Sequence, residues 1–227
     1  MKEALPGWAR RVVWTACAFA TLFVVTSVGG DIMTGLTGHD NVLGLIPALD
    51  LRVEGNIPTF FSGLLLFGCG TVAAAVARTR QRQGLHQWHR HWQALALIFA
   101  ALAVDEAAGL HELMNAPLRD AFSTTGVLFF PWVLLYGLFV LVFARVYWRF
   151  LLAFVPWYRV RIAASGVLFV SGALGMEMVQ GSYYSAHGPD PTYLLIWLTG
   201  ETLELVGALL FGYTLLKYLV TLRATAS

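Results

Sequence analysis

The chain has 227 residues, of which 58% are hydrophobic and only 12% charged, with 15 basic against 13 acidic residues and a net charge of +2. A soluble domain carries about 25% charged residues, so this composition excludes an ordinary water-soluble enzyme, a basic nucleic-acid-binding domain and a disordered chain. The small net charge implies no polyanionic partner.

A helix that crosses a bilayer needs about 20 mostly apolar residues. Six such windows occur in chain order, near residues 12–29, 57–77, 92–113, 126–147, 161–180 and 193–216. They are continuously apolar and too long for strands. The expected fold is all-α, an integral membrane six-helix bundle forming a single transmembrane domain over residues 1–227. The first window follows Lys2, Arg10 and Arg11. It is read as a retained span rather than a cleaved signal, because Trp8 and Trp14 suit an interfacial anchor. Between the first two spans, residues 30–56 form a long outer loop. Its apolar stretch, Val42 to Leu51, is expected to pack back over the bundle as a short helix or re-entrant piece.

Orientation follows the lysines and arginines. With the N-terminus inside, all of the 15 basic residues except Arg52 and Arg119 fall on the inner side. Both termini are therefore expected to be cytoplasmic. The acids separate in the opposite sense, since Glu3 alone of the 13 falls inside.

Six acids are expected within the outer parts of spans: Asp105, Glu106, Glu112, Glu177, Glu201 and Glu204. Each ionised carboxylate near a bilayer centre costs about 2.5–3.5 kcal/mol even on the mild insertion scale. They must be protonated, hydrated or matched by cations. At 1.5 Å per residue, Glu106 and Glu201 would lie about 12 Å below the outer ends of their spans and Glu177 about 5 Å. The outer parts of the third, fifth and sixth helices are therefore expected to adjoin. On an ideal helix Asp105 and Glu112 share a face, while Glu106 and His111 point to either side of it. A π-bulge in Ala107-Ala108-Gly109 would bring Glu106 and His111 together. Glu201 and Glu204, three residues apart, share a face and repel unless a proton or cation lies between them.

The most specific string is Val104-Asp105-Glu106-Ala107-Ala108-Gly109-Leu110-His111-Glu112. With it go Gly172-Ala173-Leu174-Gly175-Met176-Glu177 and Glu201-Thr202-Leu203-Glu204-Leu205-Val206-Gly207, and Glu54-Gly55-Asn56-Ile57-Pro58-Thr59-Phe60-Phe61-Ser62 at the start of the second span. In this order and spacing the chain resembles an uncharacterised bacterial family of multi-pass membrane proteins with a DExxxxHE motif and later intramembrane glutamates. The resemblance covers most of residues 50–216. It implies a membrane location and a shared polar core, and supplies no activity; the expected location is a bacterial inner membrane.

Three readings of that core compete. The leading one is a metal site holding Fe, Mn or Zn, open to the outer face and acting enzymatically on a lipid-like substrate, with membrane lipid as surroundings and no nucleic-acid partner. Its ligands would come from Asp105, Glu106, His111, Glu112, Glu177, Glu201 and Glu204, with Glu106, His111 and Glu112 as catalytic candidates. A second histidine would have to come from His187 or His39. The alternatives are a small cation- or proton-coupled transporter, disfavoured by the lack of ionisable groups in the inner halves of the spans, and a structural subunit whose buried acids only orient helices. Arg52 and Arg119 are read as counter-charges, clamps for an anionic substrate, or solvated loop residues. The HxxHxH of His86, His89 and His91 lies among arginines and reads as a solvated or headgroup-facing loop. Cys17 and Cys69 read as apolar fillers.

Overall fold

The computed structural model describes residues 4–224. Lys2 and Glu3, used in the orientation argument, lie outside the described residues. Among the described residues there are helices and turns and no strand. In order they are α1 (Gly7–Thr37), α2 (Leu45–Leu49), α3 (Ile57–Arg82), α4 (His89–Ala108), α5 (Leu110–Leu113), α6 (Asn115–Phe122), α7 (Trp132–Leu152), α8 (Pro156–Val170), α9 (Glu177–His187) and α10 (Pro191–Ala224). A π-helical turn, Ser171–Met176, joins α8 to α9. Five helices are long and apolar enough to cross a membrane, counting Pro156–His187 as one; α4 with the bent α5–α6 segment makes a sixth if that pair is one span. Exposed apolar side chains such as Leu97, Leu138 and Leu141 are the surface that lipid would cover. The chain is a helical membrane protein.

Helix boundaries follow local chemistry. Helix α3 starts where the Asn56 carboxamide accepts the Thr59 N–H at 3.1 Å, a side-chain cap for an otherwise unsatisfied donor. Helix α10 is capped by Asp190, which takes the Tyr193 N–H at 2.8 Å. Gly38 ends α1 in the left-handed conformation, its N–H returning to Thr34 O. That stop comes later than the sequence suggests, so the connection to α3 is shorter than residues 30–56. Gly29 and Gly30 continue the helix instead of breaking it. The connection holds α2, which packs back onto α1: Thr26 Oγ1 donates to Leu49 O and the Leu51 N–H donates to Ser27 Oγ.

Two further boundaries differ from expectation. The fourth span begins at Trp132 rather than near residue 126, because Gly126 (φ 61) and Pro131 hold the preceding residues in a 3-10 turn and loop. The third breaks at Gly109, where a left-handed residue (φ 58) turns the chain by 67°.

The helices close most tightly around α10. A methyl group added at Gly172 would lie 2.6 Å from Gly200 O, and one at Gly207 2.6 Å from Phe169 N. Only glycine permits backbones that near. Toward the ends that carry the arginines, Trp92, Tyr147, Phe150, Phe154, Tyr158 and Leu215 form a buried aromatic and aliphatic plug. The opposite end is not filled in this way, and a cavity remains there.

Candidate functional site

That cavity has a volume of about 180 Å³. Every candidate acid contributes to its wall. Asp105 and Glu106 come from the last turn of α4, His111 from α5 and Glu112 from the same short helix. Glu177 comes from the start of α9, and Glu201 and Glu204 from α10. The depths are better matched than the sequence suggests, because the fifth span continues to His187. Glu177 and Glu201 each lie ten residues inside their helix ends, about 15 Å, and Glu204 is a turn deeper. Glu106 is shallower than expected, two residues from the end of α4, with α5 and α6 folded beyond it.

The break at Gly109 decides which groups pair. There is no π-bulge at residues 107–109; the π-turn lies on another helix, at Ser171–Met176, just before Glu177. With the helical phase reset, Asp105 faces His111 instead of Glu112. Its Oδ1 accepts the His111 backbone N–H at 3.0 Å, and its Oδ2 lies 3.2 Å from His111 Nδ1. Both side chains are about 15% exposed. The Trp132 ring packs on the imidazole at 4.7 Å between centroids, and Tyr136 stands edge-on to Trp132 at 5.0 Å.

Sequence reasoning quoted Glu54 within a motif without placing it in the site. It lines the cavity with the others. The loop that carries it is fixed by Arg52, Asn56 and Thr59. Asn56 Nδ2 donates to Pro47 O and Asp50 O, and Thr59 Oγ1 donates to Val53 O. This sets the Glu54 carboxylate beside the helix break, 3.9 Å from where a Gly109 Cβ would stand. Loss of surrounding water, then the charge of Glu106, pushes the Glu54 pKa up to about 7, against the pull of His111. The aromatic wall was also missed: Trp132 and Tyr136 on α7, Tyr193 and Trp197 on α10. The signal was present, since these rings stand at the same end of the helices as the acids, but rings near helix ends also suit a membrane-interface belt.

Other candidates lie elsewhere. Arg52 is spent on Asp31 at 2.6 Å and Asp50 at 2.8 Å. Burial alone would lower its pKa, but the hydrogen bonds to those two carboxylates outweigh it and hold the guanidinium charged. Arg119 stacks over Phe129 at 4.2 Å. His187 stacks on Tyr183, and exposed His39 turns back to Thr37 O. Neither histidine lines the cavity, so no second imidazole joins His111. His91 packs on Trp88 and Phe150. Cys69 is buried against Ala208 O, and both cysteines are free.

The charge balance is one-sided. Seven carboxylates and one imidazole line the cavity, and among the described residues no lysine or arginine does. The oxygen-rich donor set suits a divalent cation by chemistry. Among the described residues no three His, Cys, Asp or Glu side chains come together as a group that could hold one ion.

No curated protein and no solved structure matches this chain. A family model described as a domain of unknown function, DUF8692, matches residues 16–219, a range that includes every residue lining the cavity. The chain belongs to the DUF8692 family.

Proposed function

We propose that this protein crosses a bacterial inner membrane six times with both ends cytoplasmic, and that its outer half holds a cation-binding site for proton-transfer chemistry on a lipid-like substrate. The observation that carries the reading is the cavity wall itself. Seven carboxylates with one imidazole and, among the described residues, no lysine or arginine must be neutralised by protons or by a cation from outside.

The Asp105–His111 pair is the proton-handling group. A carboxylate against Nδ1 fixes the tautomer and ring orientation and leaves Nε2 to take or give a proton. Glu106 and Glu112 stand in the same wall and are the acids with which it would exchange. Conduction across the membrane is the weaker alternative, because the aromatic plug around Trp92 and Phe150 offers no ionisable relay inward.

The test is a titration of the protein in lipid nanodiscs with Mn²⁺ and with small ammonium ions, read by tryptophan fluorescence from Trp132 and Trp197. Saturable binding of at least one cation, lost in Glu201→Gln, is expected. Wild-type protein that responds to no cation would remove the reading.

A further inference from the structure

The cation-site reading leaves open which cation, and the inference here rests on that reading. Two classes make different demands. A divalent metal needs several oxygens or nitrogens converging at about 2.0–2.6 Å, and no such group exists among the described residues. An ammonium ion spreads its charge, is attracted by ring faces within about 6 Å, and accepts carboxylates at longer range.

The cavity meets the second set of demands. Its acids are interleaved with rings from two helices, Trp132 and Tyr136 on α7, and Tyr193 and Trp197 on α10. The α10 rings are positioned, not loose: the Trp197 Nε1–H donates to Glu201 Oε1 at 3.2 Å, and the Tyr193 hydroxyl accepts from Gln180 Nε2 at 3.0 Å. A volume of about 180 Å³ is roughly six waters' worth of liquid, room for a small organic cation.

A second observation narrows the ligand. Trp132 is only 5% exposed, yet its indole Nε1–H has no hydrogen-bond partner. It faces the Glu177 carboxylate, which is within electrostatic reach but does not close a hydrogen bond of ordinary geometry. A buried donor without a well-formed hydrogen bond is costly, and a bare alkylammonium, which would compete for the same carboxylate, could not satisfy it. A ligand with an oxygen two carbons from the charged nitrogen could.

We infer that the outer cavity binds an amino-alcohol cation, its ammonium group held among the rings and carboxylates and its oxygen accepting from Trp132. The same chemistry occurs as a free small molecule and as a lipid headgroup.

The experiment is calorimetric titration of the protein in phosphatidylglycerol nanodiscs, which contain no ammonium group. The probes are choline, tetramethylammonium, glycerophosphocholine and Mn²⁺. Choline should bind saturably and about tenfold tighter than tetramethylammonium, which lacks the oxygen. Trp132→Phe keeps a ring and removes the N–H, so it should erase that difference. Trp197→Phe should weaken both ligands alike. Binding of glycerophosphocholine as well as choline points to a lipid headgroup, and binding of choline alone to a free amino alcohol. Binding of Mn²⁺ with no binding of choline overturns the inference and leaves the cation site standing. Binding of neither overturns both. Equal affinity for choline and tetramethylammonium in the wild type removes the role of Trp132 and the amino-alcohol assignment with it.

Discussion

Asp105 holds His111 at two points, accepting the backbone N–H at 3.0 Å and facing Nδ1 at 3.2 Å, across the break that Gly109 makes between α4 and α5. One carboxylate thus ties off a chain end and orients an imidazole. A helix that ran straight through residue 109 would put those two side chains on different faces.

Separating the two roles gives the first prediction. His111→Ala should abolish cation-linked proton exchange yet lower the unfolding midpoint by only a few degrees, since Asp105 keeps the backbone N–H. Asp105→Ala should cost more, about 1–3 kcal/mol, because a buried donor is then unpaired. Thermal unfolding of the two variants side by side checks the order. A larger loss in His111→Ala would mean that the imidazole is mainly structural.

Glu54 gives the second, through pH. Its pKa is raised from the ordinary carboxylate value to about 7, so the folded protein holds that proton more tightly than the unfolded chain. Its contribution is therefore largest below about pH 4.5 and is lost as pH rises toward about 7. Glu54→Gln should flatten the fall of the unfolding midpoint across that window. An unchanged pH profile in the variant would contradict the placement of Glu54 against the other acids.

The third prediction concerns the close approach of α10. Gly207→Ala would put a methyl carbon 2.6 Å from Phe169 N, and that backbone contact has no flexible end to yield. A loss of about 1–3 kcal/mol is expected. Gly68→Ala, where an added methyl meets nothing within 4 Å, should be neutral or slightly stabilising. Equal effects would show that α10 does not pack this closely.

Arg52 supplies the fourth. Its guanidinium side chain is 4% exposed and bridges Asp31 and Asp50. Arg52→Ala leaves two acids without their cation, and the cost should be about 3 kcal/mol. Restoration by Asp31→Asn in the same chain would confirm the charge argument; no loss in the single variant would contradict it.

The sequence already showed where the apolar helices run, because a length near 20 residues and an absence of charge are local properties. It also marked Glu177, Glu201 and Glu204 as one set, since an acid within an apolar stretch has few harmless explanations. The pairing inside the motif was not legible. Whether Asp105 faces Glu112 or His111 depends on one backbone angle at Gly109, and glycine permits either outcome. Glu54 was hidden for another reason. It lies in a loop by sequence, and only the folded positions of Arg52 and Asn56 bring that loop to the cavity. Tryptophans at a membrane level have an ordinary interfacial role, so nothing local marked Trp132 and Trp197 as cavity wall.

The central claim is a one-sided cavity that selects positive charge. The most direct measurement is labelling of Glu201→Cys in a chain with Cys17 and Cys69 replaced by alanine, in intact spheroplasts, with impermeant thiol reagents of opposite charge. The account predicts reaction from the outer side, more than about tenfold faster with the cationic reagent. Reaction only after the membrane is opened, or faster reaction with the anionic reagent, would contradict it.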